Sequence, residues 1–271
     1  MEWVGLIAGN GRFPLIFAET ARAAGLAVVA VAHEGETSPE LAELVDSITW
    51  IKVGELEPMI AAFRQHQARR AVMCGGLRKA ALLEHFAPDA RGMRFLARLQ
   101  TFSDDALLRG LARELEDEGI AVVDSVLFLG SILAPEGLLS DRAPTEEQWR
   151  DIRFGFEVAK AVGRFDIGQS VVVRAGMVLA VEAIEGTDAA IRRAGELGGR
   201  DAVVVKVSKP GQDLRFDVPA VGPGTVAVAS EAGIAVLALE AGKTLLLDKP
   251  QFLAQARAAA LVVVGVTDQP A

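Results

Sequence analysis

Residues 3–32 read as strand, glycine turn, helix and strand, and that order restricts the chain to an α/β architecture. Residues 3–8 (WVGLIA) form an apolar strand that stops at Gly9-Asn10-Gly11. Pro14 opens a helix over 15–24, where its missing N–H removes no helical hydrogen bond and its fixed φ suits the first turn. Gly25 closes the helix, and 27–32 (AVVAVA) is the second strand. Such a unit starts a Rossmann-like half. The loop reads G-x-G-x-x-P, so Pro14 stands where a dinucleotide fingerprint has its third glycine, and it removes a backbone N–H. The turn reads as a phosphate or nucleotide cradle, with Glu34 or Glu36 available to a ribose, and is poor support for NAD. A tight βα turn without a ligand is the simpler alternative.

The pattern continues with a strand over 48–53, a helix over 57–67 and a strand over 71–74 that ends at Gly75-Gly76, with Arg78 and Lys79 beyond. Two glycine turns at one sheet edge would line a site at the carboxyl ends of strands, where open α/β sheets bind ligands. Cys74 has no histidine beside it in sequence and reads as a small buried residue. Ser103–Asp105 head a helix over 106–118 that Gly119 stops, and a strand follows over 120–126. The loop-rich stretch 135–144 marks the boundary between an N-terminal Rossmann-like domain, 1–135, and a C-terminal α/β domain, 136–271. The second half reads as a helix over 146–162 and a hairpin of 170–174 with 177–185 turning at Ala175-Gly176. A helix from Thr225 follows, then a hairpin over 234–248 turning at Ala241-Gly242, a helix from Pro250 and a strand over 261–266.

Hydrophobic residues make up 51% of the 271, enough for a substantial core, and charged residues 24%. A net charge of −8 and a pI near 5.1 oppose a nucleic-acid role built on phosphate contacts. One cysteine excludes an intrachain disulfide and a cysteine-rich zinc site, and fits a reducing compartment. His33, His66 and His85 have no ligand spacing and are expected on the surface or in loops. The chain opens on a strand without a signal-peptide pattern, and runs such as 258–266 are too short to span a bilayer. A soluble cytoplasmic protein with peripheral membrane contact at most is expected.

Two blocks concentrate acids, lysines and glycines in this apolar chain: 181–193 (VEAIEGTDAAIRR) and 205–222 (VKVSKPGQDLRFDVPAVG). A strand through 178–185 would put Glu182 and Glu185 on opposite faces. Thr187 is placed to cap the following helix, with Asp188 in its first turn, either complementing the helix dipole or joining a site. If 213–218 is extended, Asp213, Arg215 and Asp217 share one face, and Leu214, Phe216 and Val218 the other. Asp213 and Asp217 would then lie about 13 Å apart, too far to chelate one ion together. A surface strand with solvated charges gives the same pattern. Acidic oxygens without cysteine pairs favour Mg2+ or Mn2+ over zinc.

These blocks, with GLIAGNGRFP at 5–14, DDALLRGLARELEDEG at 104–119 and DIGQSVVV at 166–173, resemble the UDP-2,3-diacylglucosamine pyrophosphatases of the lipid A pathway. The type resembled is the two-domain α/β one, not the calcineurin-like one. The resemblance runs in order through nearly the whole chain. It departs at Ala190, where the family usually has Met, and at Asn10, where it is often richer in glycine; neither change removes a charge. It implies hydrolysis of UDP-2,3-diacylglucosamine to UMP and 2,3-diacylglucosamine 1-phosphate (lipid X), with Mg2+ or Mn2+ and with water attacking the phosphorus nearer the sugar. It implies Asp217 as the catalytic residue; Glu182, Asp188 and Asp213 supply further hard oxygens as candidate metal ligands, and which acid ligates the ion and which activates water stays open. Substrate contacts are implied for Gly9, Asn10, Gly11, Gly75, Gly76, Asp104, Gln169, Thr187, Lys206, Lys209, Gln212 and Arg215. The implied place of work is the cytoplasmic face of the inner membrane, with a homodimer among the assemblies left open.

The implied substrate carries two acyl chains, so an apolar groove between the domains is expected. A helix over 91–102 would align Arg91, Arg94 and Arg98 beside Phe95, Leu96, Leu99 and Phe102, a face suited to anionic head groups or simply to the core. The competing functions are a nicotinamide-dependent oxidoreductase, opposed by Pro14 and the lack of a hydride-transfer dyad, and a non-catalytic nucleotide-sugar binder, which has no need of clustered acids.

Overall fold

Most of the apolar runs do become strands, and glycine follows directly on those that end at Ala8, Cys74 and Val221. The computed structural model describes residues 2–78, 86–99, 101, 104–216 and 218–268, with backbone alone for 104 and 105. The chain divides into two compact units, Met1–Leu129 with Leu214–Phe216, and Gly130–Asp213 with Asp217–Ala271. No helix among the described residues is long and apolar enough to cross a membrane.

The first unit contains β1 (Trp3–Ala8), α1 (Phe13–Ala23), β2 (Ala27–His33), β3 (Ser47–Ile51), α2 (Glu57–Gln65), β4 (Arg70–Cys74), α3 (Ala90–Arg98), α4 (Asp104–Glu116) and β5 (Ala121–Val122). Its sheet has the order β3-β2-β1-β4-β5 with every pairing parallel. Chain order reverses between β1 and β4, so their carboxyl ends form a topological switch point. β2 is buried at every residue, as a parallel strand covered on both faces must be. Ile7, Val29, Val31, Phe63, Met73 and Leu115 share one core, and a Cβ at Gly5 would stand 2.8 Å from the Phe63 ring. The run 120–126 supplies only the two residues of β5 before a 3-10 turn at Ser125–Phe128, which Asp124 caps through Val126 N.

The second unit contains β6 (Gly137–Leu138), α5 (Glu146–Arg164), β7 (Ser170–Arg174), β8 (Met177–Val181), α6 (Thr187–Glu196), β9 (Val203–Lys206), β10 (Ala220–Val221), α7 (Pro223–Glu231), β11 (Val236–Glu240), β12 (Leu245–Leu246), α8 (Lys249–Ala258) and β13 (Val262–Val266). The main sheet runs β6-β13-β11-β9-β7-β8, with β13, β11 and β9 parallel and β7 antiparallel to both β8 and β9. A capping box of Thr145 and Gln148 starts α5. Gly155 lets α5 lie close on the sheet, since a Cβ there would meet Val205 at 2.7 Å. The β7–β8 hairpin turns where expected, with Ala175 and Gly176 at φ 49° and 75°. The Asp151 carboxylate accepts from both turn amides, at 2.8 and 2.7 Å.

Three further expectations fail. The stretch 234–248 is not a hairpin: β11 lies between β9 and β13, and β12 pairs in parallel with β10 in a separate ladder. The turn at Ala241-Gly242 exists, but its amides bond to Val266 O and Ala134 O, which leads the chain away from β11. β8 stops at Val181, so Glu182 and Glu185 do not alternate along a strand. Leu214–Phe216 form a turn, so the shared polar face of 213–218 is not made.

Candidate functional site

In the first unit the two glycine turns lie side by side at the switch point. Gly9 N donates to Cys74 O and Asn10 N to Gly76 O, each at 2.8 Å. Neither position tolerates a side chain: a Cβ at Gly9 would stand 2.3 Å from Gly76 O, and one at Gly75 2.3 Å from Asn10 O. Gly75 also sits at φ 80°, where an L side chain is strained. Gly11, at φ 82°, faces open space.

Glu36 corrects one expectation. Its side chain is fully buried and turned onto the protein, not available to a ribose. Its carboxylate accepts from Asn10 Nδ2 (3.1 Å), Arg78 N (2.9 Å) and Arg78 Nε (2.7 Å). Burial alone would raise its pKa; the bonds from Arg78 and Asn10 and the Arg78 charge outweigh it and hold the carboxyl at about 2. Glu34 is exposed.

His33 is likewise not a surface residue but the buried last residue of β2. Its Nδ1 lies 2.9 Å from Ala8 O, which makes Nδ1 the protonated nitrogen, and burial lowers its pKa. Thr37 Oγ1 donates to the same carbonyl at 2.7 Å. His66 caps α2 and packs on Trp3, with ring centroids 4.4 Å apart. His85 lies outside the described residues. Cys74 is buried, and burial drives its thiol pKa up.

In the second unit, the start of β7, the ends of β8 and β9 and the start of α6 meet at one edge. There the structure gathers Gln169, Glu182, Thr187 and Lys206. Thr187 is not the cap of α6; Gly186, at φ 83°, takes that place and turns the Thr187 hydroxyl inward. That hydroxyl donates to Glu182 Oε1 and accepts from Lys206 Nζ, both at 2.8 Å, with Ser170 Oγ 3.3 Å away. Gln169 N donates to Glu182 Oε2 at 3.3 Å, and the buried Gln169 Oε1 has no hydrogen-bond partner among the described residues. Glu185 is drawn off to Arg193, at 2.6 Å. Asp188 occupies the first turn of α6 as expected.

The KPGQ stretch is a tight turn. Gln212 N donates to Lys209 O, Lys209 N donates to Gln212 Oε1, and Gly211 supplies φ 74°. Lys209 Nζ pairs with Asp166 at 2.6 Å. Asp213 follows this turn, and Arg215 belongs to the first unit, 3.4 Å from Glu116. Asp217 and the Asp104 side chain lie outside the described residues.

Among the described residues, no three His, Cys, Asp or Glu side chains are grouped to hold a metal ion. Both Glu182 oxygens already accept hydrogen bonds. The described residues therefore do not form a ready-made cage from Glu182, Asp188 and Asp213.

Sequence reasoning missed Glu240, at the end of β11, which is buried and accepts from Lys160, Lys243 and both Ser208 N and Ser208 Oγ. Burial opposes its ionisation, but the Lys160 and Lys243 bonds outweigh it and lower its pKa. The available signal was a lone charge inside each apolar run, Lys160 in VAKAV and Glu240 in VLALE.

Of the two alternatives for the arginine stripe of α3, the core-facing one fits the structure. Arg91 pairs with Glu118 and Glu114, and Arg98 with Glu114, while a Cβ at Gly110 of α4 would press on Phe95 and Leu99. Two of the three arginines thus face Glu114 of α4, and the apolar side is packing. Arg94 is exposed.

Comparison with known proteins gives concordant matches. Residues 3–132 match the model of the LpxI N-terminal domain, and 135–264 that of the LpxI C-terminal domain. The chain is 35% identical over 283 aligned residues to the UDP-2,3-diacylglucosamine pyrophosphatase LpxI of Caulobacter vibrioides (strain ATCC 19089 / CIP 103742 / CB 15), covering 99% of each chain. Two solved structures illustrate distant likeness. The biotin carboxylase subunit of pyruvate carboxylase is 15% identical over 64% of this chain and 35% of its own, with a TM-score of 0.26. Phosphoribosylglycinamide synthetase from Anaerococcus prevotii is 12% identical over 68% and 39%, with a TM-score of 0.27. This chain spans well under half of those structures, and the likeness carries no argument about its fold or activity.

Proposed function

Because this chain belongs to the LpxI family in both of its domains, we propose that it is a hydrolase that splits UDP-2,3-diacylglucosamine into UMP and lipid X in lipid A synthesis. The observation that carries this is the 35% identity over 99% of both chains with a protein named for that reaction. A water oxygen bonds to the phosphorus nearer the sugar, the bond from that phosphorus to the bridging oxygen breaks, and UMP leaves with the bridging oxygen. The water's protons pass to solvent. Asp217 orients the attacking water or would help to hold a divalent ion. Lys206 and Lys209 supply positive charge for the developing phosphate charge. The Thr187 hydroxyl, held between Glu182 and Lys206, fixes where that ammonium stands.

Dependence on Mg2+ or Mn2+ belongs to the same proposal. Such an ion is commonly held by one or two carboxylates together with substrate phosphates, so it is proposed to arrive with the diphosphate. An apolar groove for the acyl chains and peripheral contact with the inner membrane complete the reading. Burying each CH2 contributes about 0.8 kcal/mol, so two acyl chains dominate substrate affinity.

The test is to incubate purified protein with UDP-2,3-diacylglucosamine and Mg2+, with and without EDTA. Equimolar UMP and lipid X are expected, with neither formed under EDTA. Absence of UMP in the presence of Mg2+ and Mn2+ would overturn the reading.

A further inference from the structure

The buried charge of Glu36 takes no part in the chemistry above, yet three segments of the switch-point edge converge on it. The first is the turn after β1: Asn10 gives its side-chain amide to Glu36 Oε2, while its backbone N–H goes to Gly76 O. The second is the segment after β4: Arg78 gives Glu36 its backbone N–H and Nε, and its Nη2 lies 2.5 Å from Oε1. The third is the segment after β2 that carries Glu36 itself. That segment is tied to the end of β1, since His33 and Thr37 both donate to Ala8 O and His33 N donates to Thr37 Oγ1.

A buried carboxylate is an expensive way to join loops. Removing an ion from water costs several kcal/mol, and apolar packing commonly stabilises as well or better. What the carboxylate provides is direction. A guanidinium held along one edge by a carboxylate is fixed in plane and orientation. The Arg78 side chain is 66% exposed while its anchor is fully buried. An oriented cation thus stands beside two glycine turns packed so closely that Gly9 and Gly75 have no room for side chains, at the strand ends where α/β sheets take phosphates.

We infer that Glu36 is a positioning residue that locks the two glycine turns into one nucleotide-phosphate site, and that Arg78 is the cation this site presents to the phosphate. This rests on the reading that the substrate is a nucleotide diphosphate, and it assigns that nucleotide end to the first unit. Glu36 acts only through Asn10 and Arg78.

The test measures binding of UMP and of uridine, which lacks the phosphate, to the full chain by calorimetry, with thermal unfolding as a control on folding. The wild type is expected to bind UMP more tightly than uridine. Arg78→Ala should weaken UMP at least tenfold and leave uridine unchanged. Glu36→Gln should weaken UMP by a similar factor, and the double variant little more than Arg78→Ala alone. With the lipid substrate, KM should rise in both variants while kcat changes less. Wild-type UMP affinity in Arg78→Ala, no measurable UMP binding by the wild type, equal losses for uridine, or additive effects in the double variant would overturn the inference. If Glu36→Gln fails to fold, Glu36→Asp takes its place, and unchanged UMP affinity there counts against the role. A chain that binds UMP through Arg78 but releases none from the lipid substrate would instead contradict the proposed reaction and leave this site standing.

Discussion

Lys160 and Glu240, eighty residues apart in sequence, meet with Nζ 2.8 and 2.7 Å from the two carboxylate oxygens, and the same Nζ donates to Ser208 O. Glu240 in turn accepts from Ser208 N and Oγ. A helix and a strand end thus grip the residue from which the KPGQ turn departs.

Breaking this buried pair from one side should be costly. Glu240→Leu leaves Lys160 buried without its carboxylate and is expected to destabilise by about 3–5 kcal/mol, read from urea unfolding. Lys160→Met combined with Glu240→Leu should recover part of that loss, since the stranded charge is gone. A double variant no better than Glu240→Leu alone would show that the cost lies in the lost Ser208 bonds.

Acid should weaken the fold in two stages. The folded pKa of His33 lies below its ordinary value of 6.5, so as pH falls below about 6.5 the unfolded state takes up a proton that the folded state does not. Stability falls there. The folded pKa of Glu36 is depressed from 4.5 to about 2, so its contribution is present above about pH 4.5 and is lost as pH falls towards 2. Urea midpoints from pH 8 to 3 would show both stages, and His33→Gln should flatten the first. A flat profile between pH 7.5 and 5 in the wild type would refute the His33 assignment.

The glycines separate by their surroundings. Gly9→Ala pushes a methyl into Gly76 O and is expected to cost about 1–3 kcal/mol, with weaker nucleotide binding. Gly224→Ala, in α7 with open space around its Cβ, is expected to stabilise by up to about 1 kcal/mol. Thermal unfolding of the two variants would test the contrast, and equal shifts would contradict it.

What could be read before folding was local. β1, α1 and β2 follow from apolar runs closed by Gly9, Pro14 and Gly25, and the β7–β8 turn follows from Ala175-Gly176. Pairing over distance could not be read. Ala241-Gly242 looks like a hairpin turn until Val266 and Ala134 take its amides. Thr187 looks like a cap until Gly186 adopts positive φ and leaves the hydroxyl to Glu182 and Lys206. Glu36 looked available to a ribose because nothing near it in sequence announces Arg78 as its partner.

Asp217 is predicted to be catalytic. Asp217→Asn keeps the shape and removes the charge, and hydrolysis should fall by several orders of magnitude while folding and substrate binding persist. Near-normal turnover with intact unfolding behaviour would remove Asp217 from the role.

The most direct measurement runs the reaction with UDP-2,3-diacylglucosamine in 18O-labelled water and follows both phosphates by 31P NMR and mass spectrometry. The predicted result is equimolar UMP and lipid X, with one 18O atom in the lipid X phosphate and none in UMP. Label in UMP would contradict attack at the phosphorus nearer the sugar, and failure to form either product would contradict the pyrophosphatase reading itself.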